Sequence, residues 1–522
     1  MDIKSNKSLK LKTGSVALVL IFFAALNYFV SQNSLYFDLT EDKIYTISDA
    51  SKNILKNLDK EVKVNFYISK DLPVNMQALK TQLVDTMNQY QDIAGSKLKV
   101  AYIEPENTPA KVQDLAQKGI PQLQFNVVEK DKYEVKQGFF GIEIVSGETG
   151  SEKREVIPMI QSIDNWEYNF ISAVYSVSRE KKETVGFLSG HGEKEVDPTE
   201  LKMSYDAVNV KIEPSGDNKG FYIEKEKTTK DEKGEDKSVT EKVPVQPITL
   251  VIVNPGSKIT EEEAAILDEY VKNGGNVIVL SGAVNVDVSQ GISAELIPDN
   301  GLNGFMKKYG IEINNDMIYD ASNSNISYQR GPFSMSTPYP FFVKAVSENF
   351  GDHTSLSGIQ SVIFPWTSSL ALADSNDYVA SQVISTTQRA SAISGSFDVM
   401  PDRQFSFDNA SKKTIMAVAK PKEADSKSGN IIAVGDPYFI LLNFSKQVSD
   451  NQTFFLNLID SVSNTVNLSS IRAKNIADRP VKELSEGEKN YWKFIAILGG
   501  ALVLDAYGLY RIVRRKKRMG RA

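Results

Sequence analysis

The hydrophobic pattern of the chain differs at its ends from what lies between them. Residues 13–30 run for eighteen positions without a charge. A helix of that length reaches roughly 27 Å, the depth of a hydrocarbon core. Residues 494–510 are apolar apart from Asp505. Both segments predict membrane-spanning helices. Between them the period changes. Residues 62–68 alternate as a half-buried strand should, and Leu79, Leu83, Met87 and Tyr90 recur at helical spacing. A second strand follows at 98–103, then a short helix near 110–118. Gly119-Ile120-Pro121 leads into a strand at 124–129, expected to pair with 141–145 as a hairpin across Asp131-Lys132. A helix near 166–178 closes this region.

The order β-α-β-α-β-β-α, with Pro121 just before the third strand, predicts a thioredoxin-like domain. A second region begins with a strand at 184–189 that ends in Gly190-His191-Gly192-Glu193. Residues 211–245 are rich in charge and read as a solvated hairpin or a mobile loop. The strongest α/β signal follows. A buried-type strand at 248–253 turns at Asn254-Pro255-Gly256. Thr260 then caps a helix with Glu263 at the capping-box position, Gly274-Gly275 ends it, and a strand returns at 276–280. Such a βαβ unit implies a parallel pair with a right-handed crossover. Residues 429–434 form a further strand ending at Gly435-Asp436-Pro437, and a helix lies near 452–462. The stretch 320–410, rich in Ser, Asn, Gly and Pro, predicts no defined elements. The region reads as a flavodoxin-like sheet with long insertions.

The expected fold class is therefore α/β: a two-pass membrane protein whose lobe joins a thioredoxin-like domain to a flavodoxin-like one. The expected boundaries are a basic tail and first span at 1–34, the first domain at 35–182, the second at 183–475, a linker at 476–491, and a second span with basic tail at 492–522.

Charge sets the orientation. Residues 1–12 carry +3 and residues 511–522 carry +7, so residues 31–491 carry −16 of a total of −6. Lysine and arginine flanking a span stay cytoplasmic. Both tails are expected inside the cell, at the inner or plasma membrane, with 31–491 extracytoplasmic. An acidic lobe disfavours nucleic acid as a partner. No cysteine is present, which excludes disulfides, thiol nucleophiles and cysteine-held metals, and the only histidines are His191 and His353. No cofactor is expected. No GxxxxGK[ST] occurs, so the chain is not expected to hydrolyse ATP.

The residues FDLTEDKIYTISDASKNILKNL followed by VKVNFYIS resemble the start of the lobe in the GldG-like family, gliding-motility-associated auxiliary proteins of ABC-type transport systems. So do Trp166-Glu167-Tyr168, FLSGHGE, ITEEEAAILDEYVKNGGNVIVL, GLNGFMKKYGIEINNDMIYD, GNIIAVGDPYFI and SIRAK, in that order. The resemblance covers essentially the whole chain and departs from the pattern over 198–245. It implies an ABC permease and its cytoplasmic ATPase as partners, and an auxiliary, non-catalytic role.

Gly190, His191, Gly192 and Glu193 end a strand where open α/β sheets place ligands, and Asp436 ends another. Together they are the candidate ligand crevice, read against the plainer alternatives of a glycine turn and a turn-capping aspartate. Gly499, Gly500 and Gly508 are small residues that let helices approach. With Asp505, costly at membrane depth, they are the candidate permease-docking face. The fold also resembles class I glutamine-amidotransferase-like domains, but the cysteine nucleophile is missing. A hydrolase through Ser189 and His191 and an envelope-bridging spacer are the alternative readings.

Overall fold

The computed structural model describes residues 46–463 apart from 71, 130–131, 149, 161–165, 217–218, 231–235, 289–291, 331, 424–425 and 442–448, together with 22, 471, 487–497, 507–508 and 510–512. The described residues fall into two compact units, one within 1–475 and one within 476–522.

In the first unit the strands begin with β1 (Val62–Ile68), β2 (Leu98–Ile103), β3 (Leu123–Glu129), β4 (Lys132–Gly138), β5 (Phe140–Ser146) and β6 (Lys153–Ile157). Four of them form a sheet in the order β2–β1–β5–β6. The β1 and β2 strands run parallel, Val62 opposite Leu98, which requires the crossover supplied by the helix Val74–Ala94. Leu83, Met87 and Tyr90 of that helix pack on Val64, Phe66 and Ile142 beneath it. The helix Trp166–Ser178 is buried along most of its length and covers the same core with Phe170, Ile171 and Val174.

The expected hairpin partner at 141–145 is wrong. Residues of β3 pair with β4, Glu129 opposite Lys132, and the two form a separate ribbon. The buried run of β5 instead pairs along β1, Ile68 opposite Phe140. Phe140, Ile142 and Ile144 are fully buried, so the sheet offers β5 more apolar contact than a two-stranded ribbon does.

The later strands are β7 (Glu183–Leu188), β8 (Tyr205–Glu213), β9 (Gly220–Lys230), β10 (Asp236–Pro244), β11 (Thr249–Val253), β12 (Asn276–Leu280), β13 (Val284–Asp287), β14 (Ser293–Leu296), β15 (Ile311–Ile313) and β16 (Met317–Asp320). They continue with β17 (Asn323–Arg330), β18 (Phe333–Val346), β19 (Ser361–Pro365), β20 (Leu370–Leu372), β21 (Tyr378–Ser385), β22 (Ala390–Ile393), β23 (Thr414–Pro421) and β24 (Ile431–Val434). An 11-stranded sheet runs β10–β9–β8–β7–β11–β12–β24–β23–β20–β15, with β21 also paired to β23. Its centre, β8–β7–β11–β12–β24, is parallel throughout.

Both faces of that centre are covered, which explains why β11 is buried at every position. Leu250, Ile252, Val277 and Val279 face one layer with Ile266, Leu267 and Val271 of the helix Glu261–Lys272. Val251, Val253, Ile278 and Leu280 face the other, with Phe454, Leu458 and Ile459 of the helix Ser449–Ser463. The charged stretch expected as a hairpin or a loop is the β9–β10 hairpin, Lys230 opposite Asp236.

Two corrections concern the fold class. The lobe is far richer in strands than an α/β reading with structureless insertions allows. The stretch 320–410 holds β17 to β22, including the hairpin of β17 and β18. Pro338 and Pro340 hide β18 from a sequence reading. They are tolerated because β19 pairs only with Phe342–Val346, which leaves the proline-bearing half of β18 with β17 alone. The second correction is to the two-pass architecture. Among the described residues no helix is long and apolar enough to cross a membrane. Of the expected second span, the described helical stretch 487–497 covers only residues 494–497. Most of 13–30 and of 498–510 lies outside the described residues.

Candidate functional site

The turn after β7 is built by its glycines. Gly190 has φ 116° and Gly192 φ 73°, left-handed backbone that a side chain would strain. Ser189, just before them, donates from both its amide (2.9 Å) and its Oγ (3.1 Å) to the Val210 carbonyl on β8. The reversal aims the His191 carbonyl at the turn after β11, where it accepts from the amides of Gly256 (2.9 Å) and Ser257 (2.8 Å). The chain leaves β7 toward β8 and leaves β11 toward β12, so the two turns meet at the point where the strand order reverses.

His191 is buried between two carboxylates. Its Nδ1 lies 3.0 Å from Glu193 Oε1, and its Nε2 lies 3.2 Å from Glu263 Oε1. Its amide donates to Glu193 Oε2 at 2.8 Å. Glu263 also holds the helix behind it. Its Oε2 accepts from the Thr260 amide (2.8 Å) and hydroxyl (2.9 Å), completing the capping box of the helix Glu261–Lys272. One carboxylate therefore joins the helix start to the β7 turn. Only an imidazolium donates from both ring nitrogens. The Glu193 hydrogen bond leads in raising the His191 pKa, with Glu263 adding to it and burial opposing it. Burial pushes the Glu193 carboxyl up, but the His191 ring and local amides hold it below its ordinary value. His353 is the reverse case. Burial, with Lys420 nearby, lowers its pKa to about 4.

A proton titration follows from this contrast. The two histidines should separate in an NMR pH titration of their ring protons, His191 moving above the ordinary 6.5 and His353 at about 4. The stability His191 contributes is complete below the unfolded value and is lost as pH rises through its raised folded value. That of His353 is lost as pH falls from 6.5 toward 4. Two histidines titrating together near 6.5 would contradict the carboxylate clamp.

Asp436 follows β24, on the same edge as His191 but across β11 and β12, roughly 14 Å away at ordinary strand spacing. The structure thus brings the two to one edge without bringing them together. Asp436 is fully buried. It accepts from the Tyr438 amide, and its Oδ2 has no hydrogen-bond partner among the described residues. Burial pushes its pKa well above the carboxylate range, against the amides of Tyr438 and Phe439.

The sequence reading missed what spans the gap. Lys194 Nζ donates to Asn285 Oδ1 (3.2 Å) and sits 5.1 Å from the centre of the Tyr438 ring. The Tyr438 hydroxyl donates to the same Asn285 oxygen (3.3 Å) and accepts from the Val286 amide (2.6 Å). Burial lowers the Lys194 pKa. The adjacency of Lys194 to the GHGE turn was the one available signal; Asn285 and Tyr438 are joined to it only by the fold. Of the candidate docking face, Gly499, Gly500 and Asp505 lie outside the described residues. Gly508 is helical, with open space where a side chain would be.

Residues 182–458 match the family described as an ABC-type uncharacterized transport system. That span is more than half of the 522-residue chain. The chain belongs to this family. As a member of the ABC-transport auxiliary family it agrees with the resemblance read from its sequence. The match opens one residue before β7 and closes inside the helix Ser449–Ser463, so it encloses the central strands of the large sheet together with His191, Lys194, Glu263 and Asp436. Residues 41–145 match a domain of unknown function, DUF7088. An uncharacterized protein of Borreliella burgdorferi is 26% identical over 376 residues, covering 71% of this chain and 67% of its own. Among solved structures, the mmIFT52 N-terminal domain aligns with 54% of this chain and 97% of its own at 14% identity. Its TM-score is 0.34.

Proposed function

We propose that this auxiliary component of an ABC-type transport system is a non-catalytic binding subunit that works beside a permease and its cytoplasmic ATPase. The observation that carries this reading is the family match over the large sheet. The strand-end chemistry supports it. Ser189 bonds to the Val210 carbonyl, and both ring nitrogens of His191 face carboxylates, so this edge offers no serine–histidine pair for acyl transfer. In this proposal the carboxyl ends of the strands, from the His191 turn to Asp436, face the substrate or partner. The acidic lobe lies outside the cytoplasm, consistent with a chain that carries no cysteine.

A turnover screen of the purified protein against ester and amide substrates, with His191→Ala beside it, tests the non-catalytic half. The proposal expects no turnover above background in either protein. Turnover lost in His191→Ala would overturn it.

A further inference from the structure

A cavity of about 580 Å³ opens where β6, the end of the helix Trp166–Ser178, the short 3-10 turn Leu201–Met203 and the start of β8 meet. It lies on the opposite flank of β7 from the β11 turn, among residues the strand-end site does not use. Its volume falls in the range of small-molecule sites.

The cavity has an apolar floor and a cationic rim. Val177, Tyr205 and Ala207 line its base, and Tyr205 is anchored there by donating to Asp460 Oδ1 at 2.8 Å. Its carboxylates are largely engaged. Glu155 accepts from Lys182 Nζ (2.8 Å) and Ser176 Oγ (2.8 Å). Glu180 pairs with Lys60 at 3.4 Å. Lys182 also donates to the Lys202 carbonyl (2.7 Å), which ties the 3-10 turn to the helix end.

Three cations remain without a carboxylate among the described residues. Lys153 donates to the Arg179 and Glu180 carbonyls just beyond the helix, which satisfies them without neutralising its charge. Lys181 and Lys202 line the cavity, are exposed, and make no ion pair among the described residues. Asp206 is the one carboxylate of the lining without an ion pair among them. On a lobe whose 31–491 segment carries −16, a cavity with surplus positive charge runs against the general field.

We infer that this cavity binds a small organic anion: a phosphate or carboxylate group held between Lys181 and Lys202, with an apolar body on Val177, Tyr205 and Ala207. The paired lysines set the charge, and the floor selects against a bare inorganic ion. Both lysines are exposed, so replacing them leaves the core intact.

Calorimetric titration of the full chain with phenyl phosphate, phenol and inorganic phosphate tests this. Phenyl phosphate should bind at least tenfold more tightly than either fragment, and its affinity should fall with added salt. Lys181→Gln/Lys202→Gln should weaken it at least tenfold while melting at the same temperature as the parent. Equal binding by the double variant, or no preference for phenyl phosphate over its fragments, would overturn the assignment. So would sedimentation with phosphatidic acid vesicles in the absence of phenyl phosphate binding, because the lysines would then serve a membrane surface and not a cavity.

Discussion

Gly435→Ala should unfold the large sheet or leave it severely destabilised, by at least about 3 kcal/mol, the upper end of overpacking costs. Gly435 follows β24, the last of the parallel strands, which is flanked by β12 and the antiparallel β23. A Cβ built there would lie 2.1 Å from the Ser368 carbonyl oxygen. Backbone cannot swing aside as a side chain can. The Gly435 amide donates to the Ile415 carbonyl (2.9 Å), and its own carbonyl accepts from the amide of Ser368 (2.8 Å) and the hydroxyl of Thr367 (3.1 Å). Any shift that makes room breaks one of these bonds in the core. Its φ is not in the left-handed region, so the effect is one of space alone. Gly304 is the control. It lies in the helix Leu302–Lys307 with nothing within 4 Å of its Cβ position, so Gly304→Ala should be neutral or stabilising by up to about 1 kcal/mol. Urea unfolding of the three proteins would check both. A Gly435→Ala midpoint equal to that of the parent would refute the close approach.

Trp366→Ala should cost about 3–5 kcal/mol, the usual range for emptying a buried tryptophan site. The ring is buried and meets Tyr339, Phe342 and Tyr438 edge to face, and its Nε1 donates to the Tyr339 hydroxyl at 3.1 Å. Trp366 also has φ 56°, a conformation that costs a side chain about 1–2 kcal/mol. This gives a signature that packing alone does not. Trp366→Gly should be at least as stable as Trp366→Ala, because glycine relieves the backbone while both leave the same void. An Ala variant clearly more stable than the Gly variant would contradict the strained backbone.

Much of the parallel centre was legible in the sequence because its signals are local. The strand at 248–253, its Asn-Pro-Gly turn, the Thr260–Glu263 box and the closing glycines all lie within thirty-odd residues of one another, and the structure realises them as β11, the helix Glu261–Lys272 and β12. The strands of 320–410 were not legible. Their polar faces and prolines suppress the alternating pattern, and their pairing is decided by neighbours distant in sequence, as with Ser391 of β22 opposite Tyr319 of β16.

The site shows the same divide. His191 and Glu193 were visible as a short motif. Glu263 was visible only as a cap, since nothing local reveals that its other oxygen reaches a histidine 72 residues away. The Lys194–Asn285–Tyr438 bridge joins three segments distant in sequence, and its only local sign is that Lys194 adjoins the GHGE turn. The two-span expectation rested on apolar length alone, and the described helices do not bear it out.

Capture of the full-length protein from its native cells, with identification of what comes with it, shows whether it works beside an ABC permease and its ATPase. An ABC permease and its ATPase should co-purify in stable proportion, and the preparation should hydrolyse ATP only through the partner subunit. Recovery of the protein with neither ABC component, while the transport system is expressed in the same cells, would contradict it.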